Sequence, residues 1–201
     1  MDAVIVIGNN YTYDERDFQN KYVIAVDKGA LYCMNNNIKM DLAVGDFDSI
    51  SLSEYNKLLS LTKVIKLNPI KDETDTMVAI NQLNNYENIY ILGGITGRRI
   101  EHFYANLLLL KNDIRLKMKD DCSFIFTIDS DTTIAKSVYK FASIFSLSDS
   151  TISLVGFKYN LDNYKLLPQN PLGVSNEITN ETAKIKLKGK LLVILSKDDN
   201  I

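Results

Sequence analysis

The sequence predicts two domains of different class: an α/β domain with a mostly parallel sheet over residues 1–114, and an all-β, sandwich or jelly-roll-like domain over 115–201. Three observations carry that expectation. Apolar runs of strand length recur through the first half, each closed by Gly, Asp or Asn. Helical stretches alternate with them, the signature of a largely parallel sheet. From about Arg115 onward short alternating runs take over, separated by turn residues.

Ala3-Val4-Ile5-Val6-Ile7 has no polar break, as expected of a strand buried on both faces, and Gly8-Asn9-Asn10 closes it. Residues 21–26 repeat the pattern and end at Asp27-Lys28-Gly29. Strand 41–44 ends at Gly45-Asp46, strand 63–67 at Asn68-Pro69, and strand 88–92 at Gly93-Gly94. Helices are expected over 53–60 with Ser53 as N-cap, over 74–83 with Thr74 or Asp75 at the start, and over 100–110. In the second half, strands are expected over 122–128, 140–147, 151–157, 182–187 and 190–195. No repeat or low-complexity linker separates the halves, so the domains are expected to pack directly.

The chain has 201 residues, 46% of them hydrophobic and 24% charged, enough to bury a core in each domain. Net charge is -2 and the basic residues are dispersed, so nucleic acid or an anionic membrane is not expected as a partner. The start lacks a basic region before a short β-branched run, unlike a signal peptide, and 105–110 is far too short to cross a bilayer. Cys33 and Cys122 form no short redox or metal motif. A reducing, cytoplasmic setting is the expectation.

Ligands of open α/β sheets bind at the carboxyl ends of the strands, and the polar clusters of the first half fall there. In Gly45-Asp46-Phe47-Asp48-Ser49 the aspartates alternate, so an extended segment would project both to one side. Asp72 and Asp75 are three apart, on one face if that turn is helical. Facing one another, these pairs would make an all-oxygen site suited to Mg²⁺. Taken singly, each is equally a turn or a helix cap, since Asp and Thr serve both for local hydrogen-bonding reasons. Gly93-Gly94-Ile95-Thr96-Gly97-Arg98-Arg99 adds close backbone approach and two guanidiniums, the equipment for holding phosphate. Metal and arginine together point to transfer of a phosphate-containing group from ATP. His102 is the single histidine; such a residue on a helix is more often a structural hydrogen-bonder than a catalyst.

With these pieces in order, the sequence resembles the bacterial thiamine pyrophosphokinases. The resemblance rests on Asp27-Lys28-Gly29-Ala30, Gly45-Asp46-Phe47-Asp48-Ser49, Lys71-Asp72-Glu73-Thr74-Asp75, and Gly94 through His102 with Asn106. Ser153 through Tyr159, Gly173-Val174-Ser175-Asn176-Glu177 and the closing Gly189 through Ile194 extend it over nearly the whole chain. It implies an ATP- and Mg²⁺-binding α/β domain, a β-sandwich domain for thiamine binding and dimerisation, and a homodimer with thiamine between subunits. The implied reaction moves the pyrophosphoryl group of ATP to thiamine, giving thiamine diphosphate and AMP. Asp46, Asp48, Asp72 and Asp75 are the implied metal ligands and, with Arg99, the catalytic set. Asp27, Lys28, Gly29, Lys71, Thr74, Gly94, Thr96, Gly97 and Arg99 are the implied ATP contacts, and His102, Asn106, Ser175 and Asn176 the implied substrate contacts. The family pattern Gly-Gly-Arg-x-Asp-His stands here as Gly97-Arg98-Arg99-Ile100-Glu101-His102, with Arg98 at a small-residue position and Glu101 one methylene longer. There is no Trp, so stacking on a substrate ring falls to Tyr or Phe. A pterin-alcohol pyrophosphokinase of the same fold would share the metal and ATP residues, and a non-catalytic nucleotide sensor is the alternative outside enzymes.

Overall fold

The computed structural model describes residues 1–8, 11–70, 72–95 and 100–198. The chain forms two compact units, one of Met1–Leu109 with Arg115–Asp121 and the other of Leu110–Ile114 with Cys122–Ile201.

The first unit is an α/β layer structure. Its strands are β1 (Asp2–Val6), β2 (Tyr22–Val26), β3 (Leu42–Gly45), β4 (Lys63–Lys66), β5 (Asn88–Leu92) and β6 (Leu116–Lys119). Their order is β6-β5-β1-β2-β3-β4, and every neighbouring pair is parallel. The chain winds from β1 out to β4, then returns to place β5 on the other side of β1. The switch point is therefore the β1–β5 seam, with Ile5 opposite Ile91. Helices α1 (Lys28–Asn35), α2 (Leu52–Leu61), α3 (Asp75–Asn81) and α4 (Ile100–Asn112) connect the strands.

Both faces of β1 are dry, which explains its unbroken apolar run. Val4 and Val6 join Val23, Ala25, Ala30, Cys33 and Leu58 in one core beneath α1 and α2. Ala3 and Ile5 point the opposite way and are equally buried. At the other extreme, β4 is an edge strand with exposed lysines at both ends, which discourages pairing with another chain.

Three local expectations are corrected. Helix α1 is real, although Asp27-Lys28-Gly29 reads as a turn: a Cβ on Gly29 would lie 2.0 Å from the Val6 carbonyl oxygen, so glycine lets α1 sit directly on β1. Helix α2 is capped by Ser51, not Ser53. The Glu54 N–H donates to Ser51 Oγ (3.3 Å) and the Ser51 N–H to Glu54 Oε2 (2.7 Å), a reciprocal box whose cap lies before the predicted one, at Ser51 instead of Ser53. Strand β6, in the stretch expected to open the all-β half, joins the parallel sheet as the partner of β5.

The second unit is an antiparallel sandwich. Its strands are β7 (Ser123–Ile128), β8 (Thr132–Ala135), β9 (Phe141–Ser146), β10 (Ser150–Val155), β11 (Leu161–Leu166), β12 (Gly173–Glu177), β13 (Thr182–Lys188) and β14 (Leu191–Ser196). One layer runs β12-β9-β14-β7 and the other β11-β10-β13-β8. The strict alternation of β13, exposed then buried throughout, shows one wet face and one core face. Ala142, Ile144, Leu191 and Val193 of the first layer meet Ile152, Leu154, Ala183 and Ile185 of the second. No described helix is long and apolar enough to cross a membrane.

Candidate active site

A cavity of about 520 Å³ opens at the carboxyl ends of β1, β2 and β5 in the first unit. Its walls include Gly8, Asp27, Lys28, Asp48, Ser49, Thr74, Asp75, Thr76, Gly94, His102 and Asn106. The sheet order dictates this location, because connections after β1 and β5 depart in opposite directions and leave a crevice between them.

Each wall residue is held by a local device. Gly93 and Gly94 have φ of 83° and 73°, a turn that side-chain-bearing residues rarely adopt. A Cβ on Gly94 would also stand 2.5 Å from Ile7 Cδ1. Thr74 is the N-cap of α3, its Oγ1 accepting the Met77 N–H at 3.2 Å, and Asp75 is the first helical residue. Both open readings of Thr74 thus meet: the cap and the cavity wall are the same residue. Asn106 is buried, whereas His102 is exposed with Nε2 3.9 Å from the Glu101 carboxylate.

The aspartates are arranged differently from the expectation of two flat pairs. Phe47 has φ of 56°, so Gly45-Asp46-Phe47-Asp48 is a tight turn and not an extended segment. The Phe47 ring is buried beside Tyr55, and the Asp48 N–H donates to Asp46 Oδ1 at 3.1 Å. Asp72 precedes the α3 cap and is exposed, so it does not share a helical face with Asp75. Among the described residues no three carboxylate, histidine or cysteine groups form a ready-made metal cage. Asp27, by contrast, is drawn in close to Asp75 and Asp46. Burial first, then the charges of Asp75 and Asp46, push its carboxyl up to about 7, partly offset by the Phe47 N–H.

Of the remaining residues singled out in the sequence, Lys28 reaches the cavity and Gly29 does not, being occupied against Val6. Lys71, Thr96, Gly97, Arg98 and Arg99 lie outside the described residues. Thr76, Ile7 and Val26 line the cavity without having been singled out. Nothing in the sequence separates Thr76 from an ordinary first-turn helix residue.

Ser175 and Asn176 belong to the second unit. A bulge in β12, with Val174 and Ser175 opposite Ser143 of β9, lifts Ser175 into φ of 56° with an exposed side chain. Asn176 is buried, and its amide is used locally. Oδ1 accepts the Tyr159 N–H (3.0 Å) and the Glu177 N–H (2.9 Å), while Nδ2 donates to the Tyr159 carbonyl (2.8 Å). Beside it a largely apolar cavity of about 320 Å³ is lined by Ile144, Leu161, Tyr159, Leu172 and Val174.

Comparison with known proteins matches both units. The profile described as "Thiamin pyrophosphokinase, catalytic domain" covers residues 16–120, and "Thiamin pyrophosphokinase, vitamin B1 binding domain" covers 128–192. A thiamine pyrophosphokinase of Bacillus subtilis (strain 168) is 31% identical over 189 residues, 87% of each chain. A crystal structure of the enzyme from Bacillus subtilis superposes with a TM-score of 0.89 at 28% identity, covering 98% of this chain and 100% of that one. A thiamin pyrophosphokinase family protein from Enterococcus faecalis gives 0.85 at 27%, covering 98% and 99%. This chain shares sequence and fold with those proteins along nearly its full length, and it belongs to the thiamin pyrophosphokinase family.

Proposed function

We propose that the chain transfers the pyrophosphoryl group of ATP to the hydroxyethyl oxygen of thiamine, releasing AMP and forming thiamine diphosphate. The observation that carries this reading is the acidic crevice at the β1–β5 seam, walled by Asp27, Asp48 and Asp75 together with Thr74, Thr76 and Gly94.

The donor set suits Mg²⁺. Every acidic group is a hard oxygen ligand, and Asp27 Oδ1 is buried with no hydrogen-bond partner, a vacancy that a cation or a water bound to it satisfies. Asp46, Asp48, Asp72 and Asp75 would hold the ion. An ion held by these carboxylates would supply charge screening for the polyphosphate.

The chain's own groups orient the reactants. Lys28 offers an ammonium, Thr74 and Thr76 face the cavity beside it, and Gly94 leaves room for phosphate against the backbone. Lys71, Thr96, Gly97 and Arg99 are assigned to the same phosphates by the family pattern, and His102 and Asn106 to the alcohol. In the second unit Ser175 presents its side chain to solvent, and Asn176 fixes the backbone of Tyr159. Tyr159 stands in the Trp-free chain as an exposed ring beside an apolar cavity, a fit for the substrate's aromatic rings. A homodimer with thiamine between subunits, in the cytoplasm, completes the proposal.

Incubation with ATP, Mg²⁺ and thiamine tests it. AMP and thiamine diphosphate should form in equal amounts, and Asp75→Ala should abolish both. AMP formed with a pterin alcohol and not with thiamine overturns the substrate assignment; no AMP with either overturns the enzymatic reading.

A further inference from the structure

Ser175 is held in a backbone conformation that residues with a Cβ disfavour. Its φ is 56°, in the left-handed region, yet the residue is a serine and its side chain is exposed. Three neighbours pin it there. On one side Gly173 lets β12 close on β9, since a Cβ at that position would lie 2.1 Å from the Ile144 carbonyl oxygen. On the other, Asn176 Oδ1 accepts the Glu177 N–H at 2.9 Å. Between them the Ser175 N–H donates to a side chain of the neighbouring strand, Ser143 Oγ, at 2.9 Å.

Ser143 is buried within β9, and its flanking residues Ala142 and Ile144 belong to the sandwich core. Alternation along the strand sets its side chain on the opposite face of the layer. The register shows what the bulge achieves. Gly173 pairs with Ile144 and Asn176 with Ala142, so residues three apart both meet core-facing partners. In a regular strand those two residues would fall on opposite faces. The bulge thus turns Asn176 inward to its clamp on Tyr159 and leaves the Ser175 side chain outside. Glycine at 175 would reach the same backbone without strain. A serine held there against its preference is explained by use of its hydroxyl, because such strain persists where neighbours enforce it and gathers at functional sites.

We propose that Ser143 is a positioning residue for thiamine: its hydroxyl locks the β12 bulge, so that Ser175 Oγ stands ready to hydrogen-bond the substrate. This rests on the reaction proposed above, with Ser175 as a substrate contact. Ser143 itself lies outside every segment that carries the family resemblance.

The test compares hydrogen exchange at the Ser175 amide, followed in the full chain without substrate, with the KM values for thiamine and for ATP. In Ser143→Ala that amide should exchange at least about tenfold faster than in the wild type. The thiamine KM should rise about fivefold or more, the worth of one lost hydrogen bond, while the ATP KM stays within about twofold. In a Ser175→Gly background, adding Ser143→Ala should change the thiamine KM by less than about twofold, because no hydroxyl is left to place. Should Ser143→Ala fail to fold, Ser143→Cys, similar in shape but a weaker acceptor, is read in the same way and decides. An unchanged thiamine KM in the folded variant overturns the proposal. So does an equal rise in both backgrounds, or a Ser175 amide that exchanges freely in the wild type. A wild-type chain that makes no thiamine diphosphate sinks the proposed reaction instead; loss of amide protection in Ser143→Ala then still supports Ser143 as the residue that holds the bulge.

Discussion

Asn176→Ala separates a substrate contact from a structural clamp. The amide makes three hydrogen bonds, at 3.0, 2.9 and 2.8 Å, with the Tyr159 N–H, the Glu177 N–H and the Tyr159 carbonyl. Each contributes about 1 kcal/mol net, and a backbone group left unpaired away from water costs about 1–3 kcal/mol. Truncation should therefore cost roughly 3 kcal/mol, falling toward ~1 kcal/mol if water fills the gap. Asn176→Asp keeps the two accepted bonds but sets a buried carboxylate oxygen against the Tyr159 carbonyl that the amide donates to, so it should recover little of the loss. Denaturant unfolding followed in the second unit gives the stability change, and thiamine KM against kcat gives the functional one. If the amide acts by holding Tyr159, Tyr159→Ala in the wild-type background should raise KM with little loss of stability. A stability loss below about 0.5 kcal/mol in Asn176→Ala, combined with a large rise in KM, would refute the clamp and place the amide on the substrate.

Three further outcomes follow from geometry already described. Phe47→Ala removes a buried ring and leaves a side-chain-bearing residue at φ of 56°; unfolding should become easier by about 3–5 kcal/mol, measured by chemical denaturation. Thiol reagents should modify one cysteine in the native protein, the exposed Cys122, and both after denaturation, because burial pushes the Cys33 thiol up to about 12. In metal-free protein the folded Asp27 carboxyl titrates near 7 against 3.8 for the unfolded chain, so the folded state binds the extra proton between those values. Stability should fall as pH rises through that window, by ~1–2 kcal/mol once solvent screening is allowed for. Saturating Mg²⁺ should remove the dependence, and a pH-independent unfolding curve without metal would contradict the burial of that charge.

The layered architecture was legible because burial writes itself into the pattern. The unbroken 3–7 run is a strand covered on both faces, and β13 alternates because one face is wet. What escaped was decided by neighbours distant in sequence. Gly29 looks like a turn residue until Val6 is placed against it, and the Leu116–Lys119 segment carries nothing that says which sheet it joins. In the site, residue types marked the right loops but not their geometry. Asp46 and Asp48 look like a flat pair because Phe47's left-handed backbone is set by the hydrophobic pocket that takes its ring. Thr76 and the crowding of Asp27 against Gly45 have no local signature, since each depends on an element elsewhere in the chain.

The position of β1 between β2 and β5 sets an order of events during synthesis. Residues Asp2 to Val6 can pair with Tyr22–Val26 almost at once, but their other partners, Asn88 to Leu92, leave the ribosome only after more than half of the catalytic unit has been made. Until then one flank of a strand buried on both faces stands open, a ready template for pairing with another chain. The nucleotide crevice does not exist in that interval, because its second wall is missing. Chains released before Asn88 should therefore aggregate rather than persist as small ATP-binding fragments, and any chaperone dependence of this protein should concentrate there.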